Sequence, residues 1–280
     1  METLADAPIG VFDSGLGGLT VVREILNRLP HERIIYVADQ THVPYGGREL
    51  EEVRGFATGI SETLAAVGCK AIVMACNISS AVALADAQAA YPETPILGVI
   101  LPGAAAALEI TENSVIGVLA TEGTVRSGAY TRALHAARPD AQVLEVACPQ
   151  FVPLVEGGQE RSPAARAAAC EYLAPLLDAG ADTVILGCTH YPFLLPVLED
   201  AAPEITFVDP AAQTVAALEL RLDSGLRHVS ENFAAPLLTT TGDVRAFTSQ
   251  LRRFLPDQSA RAEIRAAVWK NGVLHLADAA

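Results

Sequence analysis

Basic residues are scarce in this chain. Its 19 lysines and arginines face 33 aspartates and glutamates, a formal net charge of −14 over 280 residues. A chain this acidic carries no general electrostatic footprint for nucleic acid or for an anionic membrane surface. An anionic substrate must then be drawn in by local dipoles and amides, against the global field. Cysteine is also sparse: five residues at irregular spacing do not read as a disulfide framework. No two of them form a CxxC pair and there is no HExxH, so the sequence offers no zinc motif. No uncharged apolar run reaches the roughly 18 residues of a membrane span. The opening Met1-Glu2-Thr3-Leu4-Ala5-Asp6 lacks the basic and apolar stretches of a secretory signal. The expectation is a soluble cytoplasmic protein with free thiols, no metal and no nucleic-acid or membrane partner.

What the chain has is apolar substance. Hydrophobic residues make up 51% and charged residues 19%, with mean hydropathy +0.31, which excludes a disordered polar chain. Ile9-Gly10-Val11-Phe12 is strand-like, and Asp13-Ser14-Gly15-Leu16-Gly17-Gly18 has turn chemistry. Leu19, Val22, Ile25 and Leu29 then recur at helical spacing until Pro30. Ile34 to Ala38 reads as the next strand, and Leu50, Val53, Phe56, Ile60 and Leu64 mark one face of a long helix. Ala71 to Ala75 is wholly apolar, the pattern of a strand buried on both faces of a parallel sheet. An Ala-rich helix follows, and Ile96 to Ile100 reads as another strand. The rhythm predicts an α/β fold with a parallel sheet.

The rhythm then repeats. Ile116-Gly117-Val118-Leu119 resembles Ile9-Gly10-Val11-Phe12, and Glu145-Val146-Ala147 with Val152-Pro153 answers Tyr36-Val37-Ala38 with Val43-Pro44. Val67-Gly68 through Ala75-Cys76-Asn77 lies over Ala179-Gly180 through Gly187-Cys188-Thr189, and Pro102 over Pro210. A nearly constant offset implies two similar α/β domains with mainly parallel sheets. One would comprise 1–100 with 211–280, the other 101–210.

Cys76 and Cys188 hold the same place in the two halves, each directly after a buried-strand pattern. That edge is where open α/β sheets bind ligands, and a helix start there offers free N–H groups that favour an anion or a thiolate. Cys69, Cys148 and Cys170 lack that placement and read as small hydrophobes. Two thiols on opposite faces of one carbon suit a single chemistry well. A thiolate removes a proton while a thiol supplies one, inverting a stereocentre without cofactor. Asp13, in a third strand-to-helix turn, could orient a thiol's proton or bind an ammonium, or simply cap a helix. Gly15-Leu16-Gly17-Gly18 lacks the lysine of a phosphate loop and reads as a tight turn with exposed amides. His190 beside Cys188 also invites a Cys/His hydrolase reading, although no third orienting residue is evident. His31, His42, His135, His228 and His275 read as surface or packing residues, and the region from Pro203 onward, Trp269 included, carries no assignable chemistry.

Together these residues resemble a known family. Asp13-Ser14-Gly15-x-Gly17-Gly18-Leu19, Val43-Pro44-Tyr45-Gly46, Ala75-Cys76-Asn77, Val152-Pro153-Leu154-Val155-Glu156, Gly187-Cys188-Thr189-His190-Tyr191-Pro192 and Thr240-Thr241-Gly242-Asp243 are similar to the motifs of glutamate racemases. The resemblance runs from about Ile9 to Asp243. It implies a cofactor-independent homodimer of two α/β domains, with the active site in the cleft between them and D-glutamate supplied for peptidoglycan. Carried over by position, Cys76 takes the α-proton from D-glutamate and Cys188 from L-glutamate. Asp13 assists Cys76, and His190 assists Cys188 with Glu156 close by. Asp13, Ser14, the Tyr45-Gly46 amides, Asn77, Ile78, Thr189 and His190 hold the substrate, with Thr121 a further contact.

Two positions depart from the family pattern. Ile78 stands where the family has Thr, removing a hydroxyl beside a catalytic thiol, which bears on substrate affinity and identity. Leu101 replaces the Glu before Pro102, which bears on the domain junction. The alternatives are a related amino-acid or hydantoin racemase, a cofactor-free decarboxylase that protonates with one cysteine, or a non-catalytic acidic binding protein. Retention of both cysteines argues against the decarboxylase, and retention of both with Asp13 and His190 argues against the binding protein.

Overall fold

The computed structural model describes residues 4–223, 225–228, 235–256 and 261–277. Met1 to Thr3, part of the stretch read for a leader, lie outside them. The chain divides into two compact units, 1–99 with 214–280 and 100–213. The first opens with β1 (Ile9–Asp13), α1 (Leu19–Arg28), β2 (Ile34–Ala38), α2 (Leu50–Ala66), β3 (Ala71–Met74), α3 (Asn77–Ala90) and β4 (Ile96–Gly98). Next come α4 (Ile100–Ile110), β5 (Val115–Ala120), α5 (Glu122–Ser127), α6 (Ala129–Ala137), β6 (Gln142–Ala147), α7 (Phe151–Glu156), α8 (Pro163–Asp178), β7 (Thr183–Gly187), α9 (Leu195–Ala201) and β8 (Thr206–Val208). After α10 (Pro210–Leu222) the chain completes the first unit with β9 (Leu237–Thr240), α11 (Val244–Phe254), β10 (Glu263–Lys270) and β11 (Val273–Leu276).

The first sheet has the order β11-β10-β9-β2-β1-β3-β4, the second β6-β5-β7-β8. Every pairing is parallel except the β10–β11 hairpin. The two sheets share a motif. In each, the first strand of the unit lies between the second and third, so β2-β1-β3-β4 matches β6-β5-β7-β8. That order makes the C-terminal ends of β1 and β3, and of β5 and β7, switch points where the chain departs to opposite sides.

The local sequence explains the elements. β1, β3 and β7 are buried along their whole length, as strands covered on both faces must be. In α2 the residues Val53, Ala57, Ile60 and Leu64 recur at helical spacing and are all buried; the last three pack with Phe12, Val37 and Met74 in the core of the first unit. Ser162 and Asp243 cap α8 and α11 through their side chains. Two expectations need correction. The strand read as Ile96 to Ile100 ends at Gly98, because Ile100 already begins α4, whose Pro102 falls in a first turn that needs no N–H from it. Val152-Pro153 lies in helix α7, whereas Val43-Pro44 lies in a loop, so that part of the repeat is a coincidence of residues. Leu101 is 62% exposed. Among the described residues no helix is long and apolar enough to cross a membrane.

Candidate active site

In the first unit, β1 delivers Asp13 to the edge of the sheet. It is buried, and its Oδ1 accepts from the Gly15 amide at 2.9 Å and from the Ser14 hydroxyl at 3.4 Å. It therefore closes its own turn and does not cap α1, whose N-cap position is Gly18. Gly18 is required by space. A Cβ there would stand 2.5 Å from the Asp13 Cβ and 2.8 Å from the Tyr36 hydroxyl. Tyr36 in turn donates to the Gly15 carbonyl at 2.6 Å. Burial, then the charges of Asp13 and Cys76, hold the Tyr36 phenol well above its usual pKa, so it stays a donor and locks the turn.

Cys76 follows β3 at the N-cap position of α3, in extended conformation, and is buried. Asn77, Ile78 and Ser79 form the first turn, where a helix leaves N–H groups without intrahelical acceptors. The Cys76 side chain packs with Tyr45, Val53 and Ile78, bordered by Leu50, Phe56 and Val82. Tyr45 and Cys76 are thus brought together from a loop and a strand end. The Tyr45 hydroxyl donates to Asp39 Oδ2 at 2.6 Å. Burial, then Asp39, Cys76 and Asp13, raise its pKa well above the ordinary value. The phenol is committed to Asp39, which leaves the backbone at Tyr45 and the half-buried Gly46 as the polar surface of that loop. Ile78 is only 2% exposed, and its side chain belongs to the apolar cluster.

In the second unit, Cys188 follows β7 as Cys76 follows β3, but the sequel differs. A turn through Thr189 and His190 leads to a short 3-10 segment, Tyr191–Leu194, before α9. His190 Nδ1 stands 3.9 Å from the Cys188 Sγ, and its Nε2 lies 3.3 Å from Glu156 Oε1 at the end of α7. The Nδ1 of a neutral imidazole can present its lone pair to the thiol, while Nε2 stands at ion-pair distance from the carboxylate, whose charge favours a protonated ring. This cluster can take a proton from the thiol and hold a thiolate. The adjacency of Cys188 and His190 in sequence, which alone carried no geometry, becomes a contact because the turn folds back. Thr189 is buried beside Cys188, and Thr121 follows β5, where its hydroxyl pairs with Thr124 at 3.1 Å.

The remaining thiols are packing groups or surface. Burial pushes Cys69 up to about 12 and raises Cys148 as well, while Cys170 is exposed. Sequence reasoning missed Asp39. It is fully buried beside the site, with Tyr45, His42, Thr241 and Trp269 all within 2.9 Å of its carboxylate. It follows the apolar run of β2 just as Asp13 follows the apolar run Ile9-Gly10-Val11-Phe12, and that signal could have found it. Trp269 had none, being 230 positions away.

Residues 9–218 match the family described as Asp/Glu/Hydantoin racemase. The chain is 48% identical over 218 residues to the glutamate racemase of Desulforudis audaxviator, covering 78% of this chain and 80% of that protein. Glutamate racemase isoform RacE1 from Bacillus anthracis superposes with a TM-score of 0.87 at 36% identity, over 95% of this chain and 98% of that one. The glutamate racemase of Francisella tularensis, solved in complex with D-glutamate, gives 0.88 at 30% identity over the same shares. With three quarters of its length matched to the family and its whole fold matched to solved members, the chain belongs to the Asp/Glu/Hydantoin racemases.

Proposed function

We propose that this chain interconverts L- and D-glutamate by a two-cysteine acid/base mechanism that uses no cofactor. The observation that carries the reading is the matched pair of thiols. Each unit repeats the strand order of the other and bears a cysteine at the equivalent strand end. The substrate follows from the relatives, which are glutamate racemases, one of them holding D-glutamate.

In the L-to-D direction the Cys188 thiolate takes the Cα proton, and the electron pair left on carbon delocalises into the α-carboxylate. The Cys76 thiol then gives its proton to the opposite face. Cys188 ends as thiol and Cys76 as thiolate; the reverse direction exchanges the roles. One C–H bond breaks, one forms, and nothing is oxidised or reduced. Asp13 serves the Cys76 side, while His190, oriented by Glu156, serves Cys188. Ser14, the Tyr45-Gly46 amides, Asn77, Thr121 and Thr189 hold the carboxylates and ammonium. The resemblance of the motifs supports the rest of the reading, a cytoplasmic homodimer whose D-glutamate enters peptidoglycan synthesis. Ile78 favours one second reading, in which the amino acid carries a more apolar side chain.

The test is racemisation followed by circular dichroism in D2O. Cys76→Ser and Cys188→Ser should each lose at least about a hundredfold in kcat, the scale of positioned acid/base catalysis. The wild-type product should carry solvent deuterium at Cα. A single mutant that racemises within about tenfold of wild type overturns the two-base mechanism.

A further inference from the structure

The carboxylate of Asp39 is the hub of a buried network beside Cys76. Its Oδ2 accepts from the Tyr45 hydroxyl at 2.6 Å and contacts His42 Nδ1 at 2.8 Å. Its Oδ1 accepts from Thr241 Oγ1 at 2.9 Å and from Trp269 Nε1 at 2.8 Å. The Asp39 amide donates to the Asp13 carbonyl at 3.0 Å. Asp39 thus joins the Tyr45-Gly46 loop and the C-terminal part of the chain through its carboxylate, and the Asp13 strand end through its amide.

The C-terminal side of this network is built for the contact. Thr41 donates its amide and hydroxyl to Thr241, and Thr240 donates to Gln40. The Trp269 ring lies over Gly59 of α2, where any Cβ would come within 3.1 Å of it. His42 stacks on Phe56 at 3.9 Å and meets Trp269 edge-on at 5.5 Å. A tryptophan on the β10–β11 hairpin is therefore seated by its ring on α2 and aimed by its N–H at Asp39. Buried indole N–H groups need a partner. Here the partner is an ion that also holds Tyr45, and hydrogen bonds to charged groups are the strong ones.

We propose that Trp269 is a positioning residue for substrate binding, acting through Asp39 to fix the Tyr45-Gly46 loop against Cys76. This rests on the reading above that the loop's amides receive the substrate. The chain thereby uses a segment beyond the matched residues 9–218 to set the geometry of the site.

The test uses the full-length protein with L- and D-glutamate. Trp269→Phe removes the donor and keeps an aromatic ring, while giving up the far edge of the indole that lies over Gly59. KM should rise about three- to thirtyfold in both directions, with kcat within about threefold, as expected when a ground-state binding surface loosens. Tyr45→Phe removes a donor from the same carboxylate, so the double variant should fall short of the product of the single effects. A purely structural role would lower the melting temperature and leave KM alone. The chain's single tryptophan supplies a readout that needs no substitution: its emission should change saturably with glutamate, at a midpoint tracking KM. If Trp269→Phe folds and keeps the wild-type KM, the positioning role is refuted. If that variant does not fold, an emission unmoved by saturating glutamate in active wild type refutes it instead. A wild type that does not racemise glutamate would defeat the functional reading itself, a distinct result.

Discussion

Ile78 stands where the motif resemblance leads one to expect Thr, and Ile78→Thr separates two accounts of it. The side chain is 2% exposed and packs with Tyr45, Val53 and Cys76. Replacing its ethyl branch by a hydroxyl forfeits about 1.6 kcal/mol, at ~0.8 kcal/mol per buried methylene. A buried hydroxyl without a partner costs about 1–3 kcal/mol more. At the second residue of α3 no helical carbonyl lies four residues back, and the Met74 carbonyl already accepts from Ser80. At ~2–4 °C per kcal/mol for a chain of this size, the melting temperature should fall by about 5–18 °C. Activity should move the other way. If the hydroxyl reaches a substrate carboxylate it adds about 1.5–3 kcal/mol of binding, or roughly ten- to 150-fold in kcat/KM.

Ile78→Val is the control. It should cost about 0.5–1.5 kcal/mol of stability and leave kcat/KM unchanged. Circular-dichroism assays on glutamate and on a panel of apolar amino acids, with thermal melts, complete the comparison. A folded Ile78→Thr whose kcat/KM for glutamate does not exceed that of wild type would falsify the reasoning: the side chain is then packing alone. A wild type that prefers the apolar panel would transfer the mechanism to another substrate.

Two further outcomes test the second unit. His190→Asn should lower kcat by about a hundredfold. Because the equilibrium constant is one, kcat/KM must fall equally in both directions, so the direction shows in isotope effects instead. The primary effect with Cα-deuterated L-glutamate should grow and that with D-glutamate shrink; equal movement of both would detach His190 from Cys188. Glu156→Gln, at a carboxylate 40% exposed, should cost only about fivefold, in keeping with the small worth of solvated ion pairs. Asp182 concerns stability. Burial opposes its charge, but hydrogen bonds from Thr111, Asn113 and Glu112 outweigh this and hold its pKa below the usual value. Its contribution is therefore present above the unfolded carboxylate value and lost as pH falls through the folded one. Asp182→Asn should cost about 1 kcal/mol at pH 7, with the gap to wild type closing in acid melts; a gap that widens in acid contradicts this.

How much of this was legible from the residues depended on distance along the chain. β3 and β7 could be read because a short apolar run before Cys-Asn or Cys-Thr is a local signal. The repeat pointed to two similar α/β units, but the strand order they share, β2-β1-β3-β4 and β6-β5-β7-β8, came only with the structure. The strand past Gly98 was misread because Val99 and Ile100 are as apolar as Ile96, and only pairing decides where a ladder stops. Val152-Pro153 misled because a dipeptide does not say whether it sits in a loop or a helix. The meeting of Asp39 with Trp269 was out of reach for another reason: it depends on β10 pairing with β9, and β9 with β2. No periodicity records that. Ile78 was read as a substrate contact from the motif around it; that its side chain also packs with Val53 and Tyr45, from other elements, is not recorded in that motif.

The charge of −14 sets a problem for an anionic substrate, and the two strand ends answer it differently. A Debye length of ~8 Å at physiological ionic strength removes most of the repulsion from distant carboxylates. What remains is decided within contact distance. At Cys76 the 14-residue helix α3 starts on the next residue, so its dipole favours negative charge there. Asp13 opposes that charge, but its Oδ1 is held by the Gly15 amide. At Cys188 no long helix begins; α9 has seven residues and follows a 3-10 turn. There the compensating group is His190, a side chain that can become a cation as the thiol loses its proton. In the two-cysteine mechanism proposed above either thiol must serve as the base, since each direction starts from the opposite arrangement. In this chain a fixed dipole on one side is balanced by a titratable partner on the other, and the balance does not require the two environments to be alike.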